Sequence, residues 1–192
     1  MKVEKWKTAE LSFASDRTYA DPLWDVALTV TFRSAGGTVI ERPAFWNGGR
    51  EFAVRVALTE EGDWEYTTAC SDTENAGLHG RCGSLCCVPY TGEHAIYQRG
   101  FLTVLPHTRR FSYHDGTPFF YLGDTHWFLC HEKWDESNVE GIDSQFRYTV
   151  DHRVSQGFTV YQSEPLGTPN VPQIYDLTDG LDERDIRGFR EL

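Results

Sequence analysis

The chain has 192 residues, 40% hydrophobic and 14% aromatic, enough to build a core and unlike a disordered chain. Eighteen Lys and Arg against 29 Asp and Glu leave a net charge of −11, a field that repels phosphate backbones and anionic membrane surfaces. Nucleic acid and membrane are disfavoured as partners, and a neutral ligand is the easier one to accept.

Met1-Lys2-Val3-Glu4-Lys5-Trp6-Lys7 lacks the apolar run of a signal peptide, and no later stretch is long enough to span a bilayer, so the sequence reads as cytoplasmic. Up to about Val88 the pattern has period two. Trp24, Val26, Leu28, Val30 and Phe32 alternate with smaller or polar residues; so do Phe52, Val54, Val56 and Leu58, and then Trp64 and Tyr66 around Glu65. Such alternation buries one face of an antiparallel sheet and wets the other. Turn signals at Ala35-Gly36-Gly37, Asn47-Gly48-Gly49 and Glu61-Gly62-Asp63 separate the runs, and Leu85 to Val88 supplies a last, smaller strand. This spacing predicts a β-sandwich over residues 1–95, with Trp24 and Trp64 in its core rather than serving as ligand platforms.

The five cysteines, Cys70, Cys82, Cys86, Cys87 and Cys130, are odd in number and show no paired C-x-x-C spacing. Free thiols are favoured over zinc ligands, and a Cys70–Cys82 bridge stays an open alternative.

Pro89 to Arg99 reads as a linker into a second domain over residues 101–192. Phe101 to Val104 precedes a hairpin turning at His114-Asp115-Gly116-Thr117, and the continuously apolar Phe119-Phe120-Tyr121-Leu122 predicts a strand covered on both faces. A helix over Asp143 to Gln156 follows, with Phe146, Val150 and Val154 one turn apart, Asp143 as N-cap and Gly157 as stop. Phe158 to Gln162 then gives a second strand, completing a βαβ unit, and a last helix begins near Asp182. Two parallel strands leave bare edges and faces, so the fold expected is a sandwich followed by an incomplete α/β segment. The alternative has the βαβ piece resting on the sandwich.

Several residue blocks resemble a known family. Trp6, Glu10-Leu11, Asp21-Pro22, Phe45-Trp46-Asn47-Gly48-Gly49, Val54-Arg55-Val56 and Gly62-Asp63-Trp64-Glu65-Tyr66 are similar to the immunoglobulin-like domain that precedes certain glycoside hydrolase barrels. Phe111 to Trp127, with Asp115-Gly116-Thr117-Pro118-Phe119-Phe120 and Leu122-Gly123-Asp124-Thr125, resembles the start of apiosidase-like (β/α)8 barrels. His126 and the segment His131 to Asn138 depart from that pattern. The resemblance implies a TIM-type barrel and action on plant-type or other complex glycans, with the sandwich as accessory domain and carbohydrate as the partner.

In such a barrel the loops after the strands form the active face, and the loops from Gly123 to Gly141 and from Ser163 to Gly180 are long. Asp124, His126 and Trp127 follow the first strand, while Gln162 and Glu164 follow the second. Carboxylates and amides suit sugar hydroxyls, and an indole can cover the apolar face of a sugar ring. Three of these residues also have a structural explanation: Asp124 as a turn cap, Trp127 packed beneath the rim, Glu164 as a solvated loop residue. A metal held by His126, His131 and Glu132 is disfavoured by their spacing, and no cofactor motif is present. Because glycoside hydrolysis takes two carboxylates flanking the bond, the resemblance puts the catalytic pair beyond Leu192. The rival readings are a non-catalytic carbohydrate-binding or scaffold module and a small metal hydrolase using Asp124, His126 and His131.

Overall fold

The computed structural model describes residues 1–127, 129 and 139–163. They fall into two compact units: Met1–Thr103 with Ser112–Thr117, and Val104–Phe111 with the chain from Pro118 onward.

The first unit is built of strands. β1 (Lys2–Glu4), β2 (Thr8–Ala14), β3 (Leu28–Ser34), β4 (Val39–Pro43), β5 (Phe45–Trp46), β6 (Glu51–Ala57), β7 (Gly62–Cys70) and β8 (Cys82–Val88) make two sheets. The larger has the order β1-β8-β7-β3-β4 and the smaller β2-β6-β5. Alternate residues turn inward from both, as period-two patterning requires. Phe13 from β2, Val30 and Phe32 from β3, Val54 and Val56 from β6, Trp64 from β7, and Leu85 and Cys87 from β8 meet in one buried cluster. Trp64 is completely buried and its indole nitrogen donates to the Glu60 carbonyl at 3.0 Å, so the large apolar group also satisfies its one polar atom.

The glycine turns fall where expected. Ser34 and Thr38 close the β3–β4 hairpin with a 2.9 Å backbone bond, and Gly37 supplies a φ of 93° there. The strand expected at Leu85 to Val88 is longer, Cys82–Val88, and is not the edge. It lies between antiparallel β7 and β1, which runs parallel to it with Lys2 opposite Cys86. No disulfide joins Cys70, Cys82, Cys86 or Cys87.

Trp24 departs from its expected place in the core. Val26, Leu28, Val30 and Phe32 are buried, but Trp24 is 85% exposed. The strand starts only at Leu28 because the carboxylates of Asp21 and Asp25 bond to backbone N–H groups and turn the chain ahead of it.

A buried polar knot closes one end of the unit. Asn75 is fully buried; its amide nitrogen donates to Ser15 Oγ and Tyr19 Oη, both at 2.7 Å, and its oxygen accepts from the Asp16 N–H at 3.1 Å. Gly77 is needed beside it, since a Cβ there would stand 2.1 Å from the Ala14 carbonyl oxygen. Near the other end, Trp6 is buried at a φ of 66°, edge-on to Phe101 and tilted against His114. The expected linker holds a short helix, α1 (Ala95–Arg99). Leu102–Val104 (β9) and Phe111–Tyr113 (β10) then form a two-stranded sheet.

The described part of the second unit is a strand, helix and strand. β11 (Gly123–Thr125) and β12 (Val160–Gln162) pair in parallel, Gly123 with Val160 and Thr125 with Gln162, and α2 (Gln145–Ser155) lies between them in the chain. This is the expected βαβ connection with its boundaries moved. The strand foreseen at Phe119 to Leu122 begins at Gly123 instead, and Phe120 and Tyr121 are 73% and 53% exposed. Here Thr159 displaces regular pairing: its hydroxyl donates to the Phe120 carbonyl at 2.6 Å and accepts from the Leu122 N–H at 3.1 Å.

The helix is capped by Ser144 rather than Asp143. Ser144 Oγ accepts from the Arg147 N–H at 3.2 Å, and Gly157 ends the element at a φ of 85°. Val154, one turn on from Val150, is 62% exposed. The helix expected from Asp182 lies outside the described residues. Among the described residues no helix is long and apolar enough to cross a membrane.

Candidate functional site

In a parallel pair, register partners point to the same face and neighbours along a strand to opposite faces. Asp124 and Tyr161 are partners, and both meet α2: Asp124 Oδ2 accepts from Arg153 Nε at 2.5 Å, and the Tyr161 hydroxyl donates to the Thr149 carbonyl at 3.3 Å. Arg153 also donates to Gln156 Oε1 at 2.8 Å, and its guanidinium lies 5.1 Å from the centre of the Phe158 ring. The Asp124 carboxylate is therefore held toward the helix.

Thr125 and Gln162 are the next register partners and occupy the other face. Beyond them the chain continues the pairing, with the His126 N–H donating to the Gln162 carbonyl at 2.9 Å. Its imidazole lies 6.4 Å from the Tyr161 ring. Trp127 follows at 49% exposure, and its carbonyl accepts from Ser163 Oγ at 3.4 Å. Leu129 is buried, and its N–H bonds back to the His126 carbonyl at 3.2 Å, which folds the start of this loop into a turn.

The strand ends thus bring together three of the residues singled out in the sequence, His126, Trp127 and Gln162, while Asp124 is directed to the helix. Glu164, and His131 of the metal reading, lie outside the described residues. Among the described residues no group of three His, Cys, Asp or Glu could hold a metal ion. Sequence reasoning passed over Thr125. The signal that finds it is period two counted from Gly123 rather than from Phe119. An exposed amide, hydroxyl and indole on adjoining positions can hydrogen-bond and stack against a polyol.

The Asp115-Gly116-Thr117 block has a different part, inside the first unit. Asp115 Oδ1 accepts from the Thr117 N–H at 2.8 Å, and Arg99 bonds to the Thr117 hydroxyl at 2.6 Å and approaches the carboxylate at 3.6 Å. The Thr117 backbone N–H, then its hydroxyl, hold the Asp115 carboxyl below the usual range, with Arg99 adding to the effect. With Gly116 at a φ of 87°, the block is a locked turn.

A crystal structure of a candidate glycoside hydrolase from Bacteroides vulgatus matches this chain with 28% sequence identity and a TM-score of 0.57, over 69% of this chain and 24% of its own. The chain thus spans about a quarter of that protein's length. In sequence, residues 2–71 are similar to a domain of unknown function (DUF5060), whose family model they match, and residues 106–189 match that for the apiosidase-like catalytic domain. The two matches follow one another in the order the chain's motifs imply. No curated protein matches it.

Proposed function

We propose that this chain is part of a glycoside hydrolase acting on plant-type or other complex glycans, the sandwich serving as an accessory domain and β11, α2 and β12 as the first β/α units of a TIM-type barrel. The observation that carries this is the parallel β11–β12 pair joined through α2, within the segment matched by the apiosidase-like catalytic domain model. In a barrel of that kind the C-terminal strand ends face the substrate. Thr125, His126, Trp127 and Gln162 would then line one wall of the sugar site, and Asp124 would position that wall through Arg153. The two carboxylates that cleave the bond would come from barrel strands other than these two, held roughly 5–5.5 Å apart for retention or about 6.5–9.5 Å for inversion.

The test compares this 192-residue chain with a form extended through a full barrel, on aryl glycosides, apiosides and plant cell-wall oligosaccharides. Turnover is expected from the extended form only, reduced by Gln162→Ala and Trp127→Ala. Equal turnover by the short chain, abolished by Asp124→Asn, would place the catalytic pair here and overturn the assignment. Glycan binding without turnover by the extended form would favour a non-catalytic binding module.

A further inference from the structure

Trp24 stands 85% exposed beside Leu23, itself 44% exposed, on a loop that is tightly built. Within the loop, the Leu23 N–H donates to Asp21 Oδ1 at 3.2 Å, the Asp21 N–H to Asp25 Oδ2 at 2.9 Å, and the N–H groups of Trp24 and Asp25 to the Asp21 carbonyl at 3.1 and 2.8 Å. On one side it is anchored by Tyr19, whose hydroxyl donates to Asp72 at 2.9 Å and accepts from buried Asn75. On the other side Val26 is buried in the core, and Ala27 exchanges two bonds with Ser71, at 3.0 Å to its hydroxyl and 2.8 Å from its N–H. The loop is fixed at both ends and stiffened within, yet what it presents is an indole in water.

Exposing an indole forfeits the stabilisation that burying it would bring, and the core takes Trp64 but not Trp24. An exposed, pre-ordered aromatic loses little freedom when a flat apolar ligand settles on it. The neighbouring chemistry selects the ligand. Asp21 Oδ2 and Asp25 Oδ1 are left outside the loop's own bonds, and carboxylate oxygens accept from hydroxyl groups. These acids, in a chain of net charge −11, disfavour an anionic ligand. A neutral sugar ring offers both an apolar C–H face for the indole and hydroxyl donors for the carboxylates.

We propose that the Leu23–Trp24 loop of the sandwich is a carbohydrate-binding site for neutral glycan chains. This rests on the proposed action on glycans, and it makes the accessory domain the part that holds polymeric substrate.

The experiment is affinity electrophoresis of the 192-residue chain in gels containing soluble neutral polysaccharides, namely xylan, galactomannan and mixed-linkage β-glucan, with wild type, Trp24→Ala and Trp24→Phe. Retardation is expected in at least one gel. Trp24→Ala should raise the apparent Kd at least tenfold with an unchanged Tm, and Trp24→Phe should recover part of it. Retardation undiminished in Trp24→Ala, or no retardation in any gel, overturns this site. Neither result touches the glycosidase assignment, which product release by the barrel-extended form decides separately.

Discussion

Arg153 Nε donates to Asp124 Oδ2 at 2.5 Å, so the last turn of the crossover helix grips the middle residue of the first parallel strand. The side chains are 35% and 26% exposed, which leaves the pair partly screened. A double-mutant cycle with Asp124→Asn and Arg153→Met should give a coupling of about 1 kcal/mol that shrinks at high salt. Thermal melts at two salt concentrations measure it. Strictly additive single effects would show that the two groups do not act on each other.

The two tryptophans of the first unit should behave oppositely. Trp64 is fully buried, so Trp64→Ala should cost about 3–5 kcal/mol and take the sandwich close to unfolding. Trp24→Ala, at a surface position, should stay within about 0.5 kcal/mol of wild type. Urea melts followed by far-UV circular dichroism separate the cases, and a stable Trp64→Ala protein would refute the core assignment.

At the polar knot, Asn75→Ala strands Tyr19, Ser15 and the Asp16 N–H together, with an expected loss of about 2–3 kcal/mol. Gly77→Ala should be comparably harmful for a steric reason, because its Cβ meets backbone and not a movable side chain. Retained wild-type stability in either variant would mean that this end of the sandwich yields more readily than its geometry allows.

Acid should loosen the same knot. The Tyr19 hydroxyl, opposed by partial burial and aided by the Glu74 N–H and Arg17, holds the Asp72 carboxyl below its ordinary value. A carboxylate depressed in the folded state stabilises fully above its unfolded pKa of about 3.9 and loses that contribution as pH falls through the lower folded value. Asp72→Asn should therefore lower Tm at neutral pH, where the contribution is fully present, and flatten the fall of Tm below about pH 4. An unchanged acid limb in the variant would remove Asp72 from the account.

Thiol chemistry gives a further check. Burial raises the thiol pKa values of Cys70 and Cys87, and both are enclosed, whereas Cys82 is exposed. Iodoacetamide at neutral pH should modify Cys82 promptly and reach Cys70 and Cys87 only in denaturant, as read by peptide mass mapping. Early modification of Cys87 would contradict the packing of β8.

The first half of the chain is legible in the sequence because its strands are amphipathic. One wet face and one buried face print period two onto Val30, Phe32, Val54 and Val56, and glycine turns mark the ends. The pattern misleads at Trp24, where alternation continues past the point at which Asp21 and Asp25 divert the backbone. The second half carries no such imprint. Apolar Phe119 to Leu122 reads as a strand, but the hydroxyl of Thr159, nearly forty positions away, takes up the backbone groups that a neighbouring strand would have bonded. That contact is long-range, and no local propensity announces it. For the candidate site, the residue types at the strand ends are readable from the sequence. The face each one occupies depends on register, and a strand that starts at Gly123 turns Asp124 toward the helix and sets Thr125 beside Gln162.

The parallel pairing of β1 with β8 has a consequence for how the molecule is made. Lys2, Val3 and Glu4 are synthesised before the other strands of the sandwich, yet their hydrogen-bonding partners Cys86, Cys87 and Val88 are synthesised only after every other strand of both its sheets. The opening segment must wait, and until it docks, one flank of β8 offers unpaired amides and carbonyls to any other chain nearby. Closure of the larger sheet is thus a late, long-range step, and the nascent protein is most open to strand exchange just before it ends.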